Sequence, residues 1–343
     1  MTTDSLGPDA DFATLEGPVL VVGGAGYIGS HTVRALEARG VPVVVFDDFS
    51  TGHPEAVKSP LVRATLGDRK ALKEAFARWA PRAVMHFAAR CYVGESVTDP
   101  STYYRENVIN AWNLLEAMRD ADCQELVFSS SCATYGIPVA LPLTEDNPQV
   151  PINPYGRTKL HMEHMMEDYS NAYGLRYAAL RYFNAAGAAP EGDLGEDHTP
   201  ETHLIPLVLG VALGHRPAID IFGDDYPTPD GTCVRDYIHI IDLADAHLRA
   251  LAQLQAGRQA LACNLGTGQG YSVREIIETA RRITGHPIPE RLAPRRPGDP
   301  PELVSGGTRA FEILGWQPRH SELKAILADA WRFHQAHPRG YSR

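Results

Sequence analysis

Ser131, Tyr155 and Lys159 bring an alcohol, a phenol and an ammonium to spacings suited to moving a proton on and off an alcohol oxygen. Tyr155 and Lys159 are four apart at the start of a helical stretch, so they share one face. A free tyrosine, with a reference pKa of about 10, is a poor base near neutrality. A nearby ammonium favours the phenolate, and Lys159 is expected to supply it. Ser131 ends the run ELVFSSS, 24 residues before Tyr155. Open parallel sheets present ligands at such strand ends, so its hydroxyl can bond the same substrate oxygen as the tyrosine. With 27 arginines and five lysines in the chain, a lysine at this position fits a specific need that the bulkier, forked arginine would meet less well.

Something must position these groups, and something must accept a hydride. VLVVGGAGYIGSH reads as a strand, a glycine turn and a helix, with Gly23, Gly26 and Gly29 spaced GxxGxxG. Such a turn brings backbone N–H groups and a helix N-terminus close to a pyrophosphate. Asp47 ends the next strand, VPVVVFD, where a carboxylate accepts the hydroxyls of an adenosine ribose and repels a 2′-phosphate. NAD is therefore expected rather than NADP. A nicotinamide ring, positive when oxidised, would further favour a Tyr155 phenolate, and Lys159 could hold its ribose. Asp68, in LGD, reads equally as an adenine contact or a loop carboxylate.

The elements carrying these residues alternate. Short β-branched runs at 19–23, 41–47, 83–89, 125–131 and 175–184 are separated by helical patterns at 28–39, 69–79, 101–119 and 155–173. That rhythm predicts an α/β fold, a Rossmann-like doubly wound parallel sheet with a smaller C-terminal substrate domain. The expected division is a mobile N-terminal extension at 1–17, an NAD-binding domain at 18–184 plus 238–265, and a second domain at 185–237 plus 266–340. Asp242 is read as the cap of a helix that returns to the first domain.

Composition narrows the classes. A net charge of −10 argues against a general nucleic-acid surface, though a local basic patch for a phosphate-bearing small molecule remains compatible. No apolar run approaches the length of a membrane span, and residues 1–17 lack the basic flank and apolar core of a secretory signal. Five scattered cysteines without a CxxC pair read as reduced thiols, so the expected location is cytoplasmic. His161 and His164 are three apart on a helix with no further ligand set, and no metal is expected.

The chain resembles the extended short-chain dehydrogenase/reductase family and, within it, the UDP-glucose 4-epimerases. The likeness rests on GGAGYIGSH, HFAA…VGES, YYRENV, SSSCATYG, INPYGRTKL, LRYFNAAGA, HLIP, IFGDDYPTPDGTCVRDYIH, NLGTGQGYS and APRRPGDP, which span residues 19 to about 316. It implies that Tyr155 removes the C4-hydroxyl proton of a UDP-sugar while hydride passes to tightly bound NAD, then returns to the other face of a 4-keto sugar. It further implies cofactor contacts from Tyr27, Ile28, Asp48, Phe49, Ser50, Gly52, Arg69, Phe87, Ala88, Ala89, Asn107, Ser129, Tyr182 and Phe183, besides those named above. For the substrate it implies Asn184, His203, Leu204, Phe222 beside the uracil, Arg235 and Arg296 on the diphosphate, and Tyr237 and Asp299. The position that limits sugar size falls on Leu303. Cys91 stands where some epimerases carry a lysine near the cofactor phosphates, so NAD is expected to be held less tightly unless another group, such as Arg90, compensates. The resemblance also implies a homodimer formed through the helices at 101–119 and 155–173. UDP-arabinose/UDP-xylose 4-epimerases share SSSCATYG and TEDNPQVPINPYG, and a dual UDP-GlcNAc/GalNAc 4-epimerase is a further alternative. A 4,6-dehydratase would need an acid–base pair where Cys132 and Ala133 stand, a plain NAD(P)H-dependent reductase would leave the uridine-diphosphate set unexplained, and a non-enzymatic NAD-binding regulator would be marked by loss of Tyr155 or Lys159.

Overall fold

Strands that are buried on both faces can be apolar throughout, and the first two here are VLVV and VVVFD. A computed structural model describes residues 15–296 and 299–341. In chain order, β1 (Val19–Val22), α1 (Tyr27–Glu37), β2 (Val43–Asp47), β3 (Leu61–Arg63), α2 (Arg69–Trp79) and β4 (Ala83–His86) come first. They are followed by α3 (Val93–Thr98), α4 (Pro100–Tyr104), a π turn (Arg105–Ile109), α5 (Asn110–Asp120), β5 (Glu125–Ser131), α6 (Pro154–Tyr173) and β6 (Arg176–Tyr182). The second half contains β7 (Asn184–Ala186), α7 (Leu204–Ala212), β8 (Ile219–Phe222), β9 (Val234–His239), α8 (Ile240–Gln255) and β10 (Ala260–Leu265). It ends with β11 (Gly270–Ser272), α9 (Val273–Thr284), β12 (Glu290–Ala293), β13 (Glu302–Leu303), α10 (Arg309–Leu314) and α11 (Leu323–Ala336).

Seven strands form one parallel sheet in the order β10-β6-β5-β4-β1-β2-β3. The order reverses between β1 and β4, and such a switch point opens a crevice at the strands' C-terminal ends. Two apolar layers sandwich the sheet. One includes Val33 and Leu36 of α1 and Leu243 and Leu251 of α8; the other includes Leu72 of α2, Leu114 of α5 and Met162 of α6. A third core, with Leu209, Ile277 and Leu327, joins α7, α9 and α11 beside a small sheet in which β9 pairs with β7, β11 and β13.

Several local expectations need correction. Residues 1–14 lie outside the described residues, but Leu15–Gly17 are not a mobile lead-in. Leu15 is buried, and the Glu16 amide donates to Gln255 Oε1 at 2.9 Å while Gln255 Nε2 donates to the Glu16 carbonyl at 2.8 Å. Residues 309–316 were assigned to the substrate domain, yet Ala310, Leu314 and Trp316 pack into the main-sheet core, where the apolar face of α10 meets α8. Asp242 does not cap α8. His239 does, accepting from the Ile241 amide, while Asp242 accepts from the His320 amide and the Ser321 hydroxyl. The helix expected over 101–119 is interrupted by the π turn. Among the described residues no helix is long and apolar enough to cross a membrane, and none of the five cysteines is in a disulfide.

Candidate active site

Two elements bring the proton-transfer groups together. β5 ends at Ser131, whose Oγ accepts from the Ala133 amide at 3.1 Å as the chain turns through Cys132–Thr134. α6 begins with Asn153 as its cap, accepting from the Gly156 amide at 2.8 Å, and with Pro154 at its first position. A Cβ on Gly156 would lie 2.4 Å from the Ala133 carbonyl, so only glycine lets α6 lie this close to the Ser131 turn. Tyr155 and Lys159 are both buried. Lys159 Nζ donates to the Ser129 carbonyl at 2.7 Å and lies 5.9 Å from the Tyr155 ring centroid.

Burial sets the leading shift of both groups. Burial raises Tyr155 well above its ordinary value, Tyr182 and Cys91 add to the rise, and contact with the Ser131 hydroxyl acts the other way. Burial also pushes Lys159 down to about 8, against the opposing pull of Cys91 and Glu163.

A buried network braces this face of α6, and the sequence reading did not include it. Arg181 on β6 donates to Glu163 on α6 from Nε at 3.0 and 3.2 Å and from Nη2 at 2.6 Å. Ser130 also donates to Glu163, Arg181 Nη1 donates to the Tyr135 hydroxyl at 2.9 Å, and Tyr135 donates to Asn264 at 2.7 Å. Burial disfavours the Arg181 charge, but the Glu163 bonds outweigh it and hold its pKa above the usual range. Glu163 is four residues beyond Lys159 in an otherwise Met-rich stretch, the signal that could have identified it.

The cofactor-side residues gather at the switch point. Gly23 adopts φ +76°, and a Cβ there would lie 2.4 Å from the Ala88 amide nitrogen, so the turn seats directly on the end of β4. The cap position of α1 is Gly26, with no side-chain cap and no acidic residue in the first turn, leaving the helix N-terminus suited to an anion. Buried Asp47 accepts from the Ala25 amide at 2.9 Å and the Phe49 amide at 2.8 Å, so it ties the turn to the next loop; a carboxylate has lone pairs left for ribose hydroxyls. Burial raises its pKa, and the two backbone bonds oppose the rise. In the same loop Asp48 accepts from the Ser50 amide, and Gly52 packs against Ala25. This arrangement fits a dinucleotide with a free ribose diol.

Other candidates act at one remove. Asp68 caps α2, accepting from the Lys70 and Ala71 amides, which favours the structural alternative for that carboxylate, and Arg69 lies over Trp112. Asn107, buried in the π turn, accepts from the Arg90 amide and donates to the Arg90 carbonyl and Thr158 Oγ1, so it holds the loop after β4. Ser129 bonds the Tyr182 hydroxyl at 2.6 Å, and Tyr27 donates to the Gly187 carbonyl at 2.7 Å. Ile28, Phe87 and Tyr182 line one main-sheet core, Ala88 the other, and Phe183 packs with Tyr135 and Leu143. Ala89 is half-buried at the end of that loop. Desolvation raises the Cys91 thiol pKa, which favours the neutral thiol.

On the substrate side, β9 and its neighbours collect a basic pair. Arg296 Nε lies 2.8 Å from Asp299 Oδ2, Arg235 Nη2 lies 3.7 Å from Asp299 Oδ1, and the Arg296 guanidinium covers the Phe222 ring at 5.1 Å. Leu303 is the register partner of Arg235 and packs near Cys132 and Phe183. Tyr237 pairs with Asn184 across β9 and β7, and Asn184 Nδ2 donates to the Asp236 carbonyl at 2.8 Å. Burial pushes the Tyr237 pKa up to about 12, against the pull of Arg235 and Arg296. His203 lies at the head of α7, just before Leu204, and its Nδ1 meets Glu196 at 2.5 Å. His198 and Glu201 complete a cluster absent from the sequence reading, although Glu-x-His-x-x-Glu-x-His is visible at 196–203.

Residues 19–266 match the sequence model of the NAD dependent epimerase/dehydratase family. A UDP-glucose 4-epimerase of Halalkalibacterium halodurans is 50% identical over 325 residues, 94% of this chain and 97% of that protein. The crystal structure of UDP-glucose 4-epimerase from Brucella ovis in complex with NAD is 52% identical, with a TM-score of 0.90 over 92% of this chain and 98% of that one. The Bifidobacterium longum UDP-glucose 4-epimerase in complex with NAD+ and UDP is 36% identical, with a TM-score of 0.89 over 94% and 99%.

Proposed function

The chain belongs to the NAD dependent epimerase/dehydratase family, and from that premise we propose that it interconverts UDP-glucose and UDP-galactose through a 4-keto sugar. The single observation that carries the reading is the seating of α6 on the Ser131 turn, which sets Tyr155 and Lys159 at the C-terminal end of β5, where the sheet that also carries the glycine turn presents its ligands. The glycine turn at Gly23–Gly29 and Asp47 would hold NAD, which would supply a reversible hydride acceptor for C4 and a positive charge when oxidised.

The chain's own residues then divide the work. Tyr155 receives the C4-hydroxyl proton during oxidation and returns it to the keto oxygen, one group serving both directions by microscopic reversibility. Ser131 donates to the same oxygen, and Lys159 holds a ribose and a positive charge near the phenol. Gly23, Gly26 and Gly29 admit the pyrophosphate, and Asp47 the ribose diol. Arg235 and Arg296 hold the substrate diphosphate by charge-assisted bonds, with Phe222 beside the uracil, while the sugar turns over. Binding energy from the fixed nucleotide can thus be used while the reacting ring stays loose. Cys132 and Ala133 leave no acid–base pair for elimination after Ser131, and burial pushes the Cys132 thiol up to about 12.

We further propose a homodimer through α4–α6, supported by the exposure of Ile109, Trp112 and Tyr173. Purified protein given UDP-galactose without added NAD should form UDP-glucose, and should sediment at twice 37.5 kDa. Silence even with added NAD would overturn the epimerase reading, and a monomer mass the dimer. UDP-arabinose and UDP-N-acetylgalactosamine in parallel tubes test the pentose and N-acetyl readings that Leu303 leaves open.

Lys159 gives this reaction a pH signature. Its pKa of about 8 means the ammonium is present below that value and lost above it. The alkaline limb of kcat/KM, which reports the free enzyme, should therefore fall near pH 8. Lys159→Arg keeps the charge and should move that limb upward at a lower plateau. An unmoved limb would assign it to another group. Stability should rise with pH between about 8 and the ordinary 10.5, because only the unfolded chain keeps the proton in that window.

A further inference from the structure

Glu196, His198, Glu201 and His203 each offer one ligand atom, and those atoms lie within 4.8 Å of one another. His198 Nδ1 is 3.4 Å from Glu196 Oε1 and 3.4 Å from Glu201 Oε2, and His203 Nδ1 is 3.7 Å from Glu201 Oε1. Ligands bound to zinc tetrahedrally at about 2.0–2.1 Å are separated from each other by about 3.3–3.4 Å. The two His198 edges match that spacing, and the third, from His203, is a little longer and runs to the other Glu201 oxygen. The fourth, His203 Nδ1 to Glu196 Oε1 at 2.5 Å, is a hydrogen bond and would have to open by less than about 1 Å to match. His203 can make that movement, since its side chain is half-exposed at the head of α7.

The buried Nδ1 of His198 supplies a second observation. It faces two carboxylates at equal distance but makes no well-aligned hydrogen bond to either. A cation held between the imidazole and the two carboxylates would give that nitrogen a partner. The surroundings hold the set in place. The Tyr27 and Tyr92 rings meet the His198 ring edge-on, each at 6.5 Å, and Tyr92 donates to the Pro200 carbonyl within the same loop. Asp197, between the ligands, points elsewhere, accepting from the Tyr341 amide and approaching His53. The half-exposed edge at His203 is the entry path.

We propose that this cluster is a tetrahedral site for a divalent transition metal, with zinc as the favoured ion. Two imidazoles and two carboxylates suit zinc better than calcium or magnesium, which take all-oxygen shells of higher coordination. The metal replaces protons on the imidazoles, which are released on binding, and no electron transfer is involved. Bound there, it ties residues 196–203 into one unit and fixes the start of α7, where His203 and Leu204 stand. The proposal does not depend on the epimerase reading, because its readout is metal binding.

The full-length chain, stripped with a chelator, is titrated with Co2+ and then with Zn2+. The expected result is one Co2+ per chain with the intense visible bands of tetrahedral geometry, bleached by one equivalent of Zn2+. His203→Gln and Glu201→Gln, at the more accessible positions, should each weaken Zn2+ by at least ~100-fold, since loss of an outer-shell partner alone costs about 10–100-fold. His161→Gln, on α6 and outside the cluster, should leave affinity unchanged. Circular dichroism confirms that each variant is folded. No Co2+ spectrum, octahedral bands only, or equal Zn2+ affinity in the ligand variants would overturn the site and leave the cluster as an ion network held by protons.

Discussion

Tyr155→Phe should turn over UDP-galactose ~10³-fold more slowly than the parent chain while keeping its fold and its KM within a few fold. The substitution removes one oxygen from a buried ring and leaves the hydrophobic volume in place, so the neighbouring elements have no cavity to fill. A factor of 10³ corresponds to about 4 kcal/mol of transition-state stabilisation, within the range of general acid–base catalysis. Neither Tyr182 nor Cys91 offers a substitute base. The Tyr182 hydroxyl is already bonded to Ser129 at 2.6 Å and its pKa lies far above its ordinary value through burial. Cys91 is likewise pushed up by desolvation. Unchanged thermal stability with a lost kcat is the expected pair of results. A kcat reduced less than tenfold would remove Tyr155 from the role of proton carrier.

The reacting trio was legible because its chemistry depends on residue types at short spacings. Four residues on a helix fix a shared face, and a strand end fixes where Ser131 points. The sheet was legible for a related reason, since strands buried on both faces show as continuous apolar runs. What spacing could not give was the sign of the electrostatics. Burial is a property of the assembled chain, and it raises Tyr155 and pulls Lys159 down. Nor could it show that Asp47 and Asn107 would be partly or wholly engaged with backbone groups, because those amides come from distant loops. Residues 309–316 were misplaced because the helix of α10 is too short to reveal which core it will join. The 196–203 cluster was present in the sequence as interspersed acids and histidines, but spacing alone did not show that their ligand atoms converge within 4.8 Å.

Glu163→Ala should cost about 3–5 kcal/mol of stability, the largest effect expected from any single change outside the reacting trio. Arg181 is buried, and three of its bonds end on Glu163, so truncating the carboxylate leaves an uncompensated guanidinium in the core. Ser130 and Gln149 lose an acceptor at the same time. The charge is the cause rather than the volume, which a paired change can demonstrate. Glu163→Leu combined with Arg181→Leu removes both charges and should recover most of the loss, as buried ion pairs often exchange for apolar residues at little cost. Urea melts of the single and double variants give the comparison through their midpoints and slopes. Because α6 carries Tyr155 and Lys159 on the turns just before Glu163, the single variant should also lose kcat in proportion to how far the helix shifts from β5. Equal losses in the single and double variants would show that packing, not charge, sets the cost. A loss below about 1 kcal/mol in the single variant would mean that water reaches Arg181, and that the helix holding the catalytic pair is fixed by its apolar face alone.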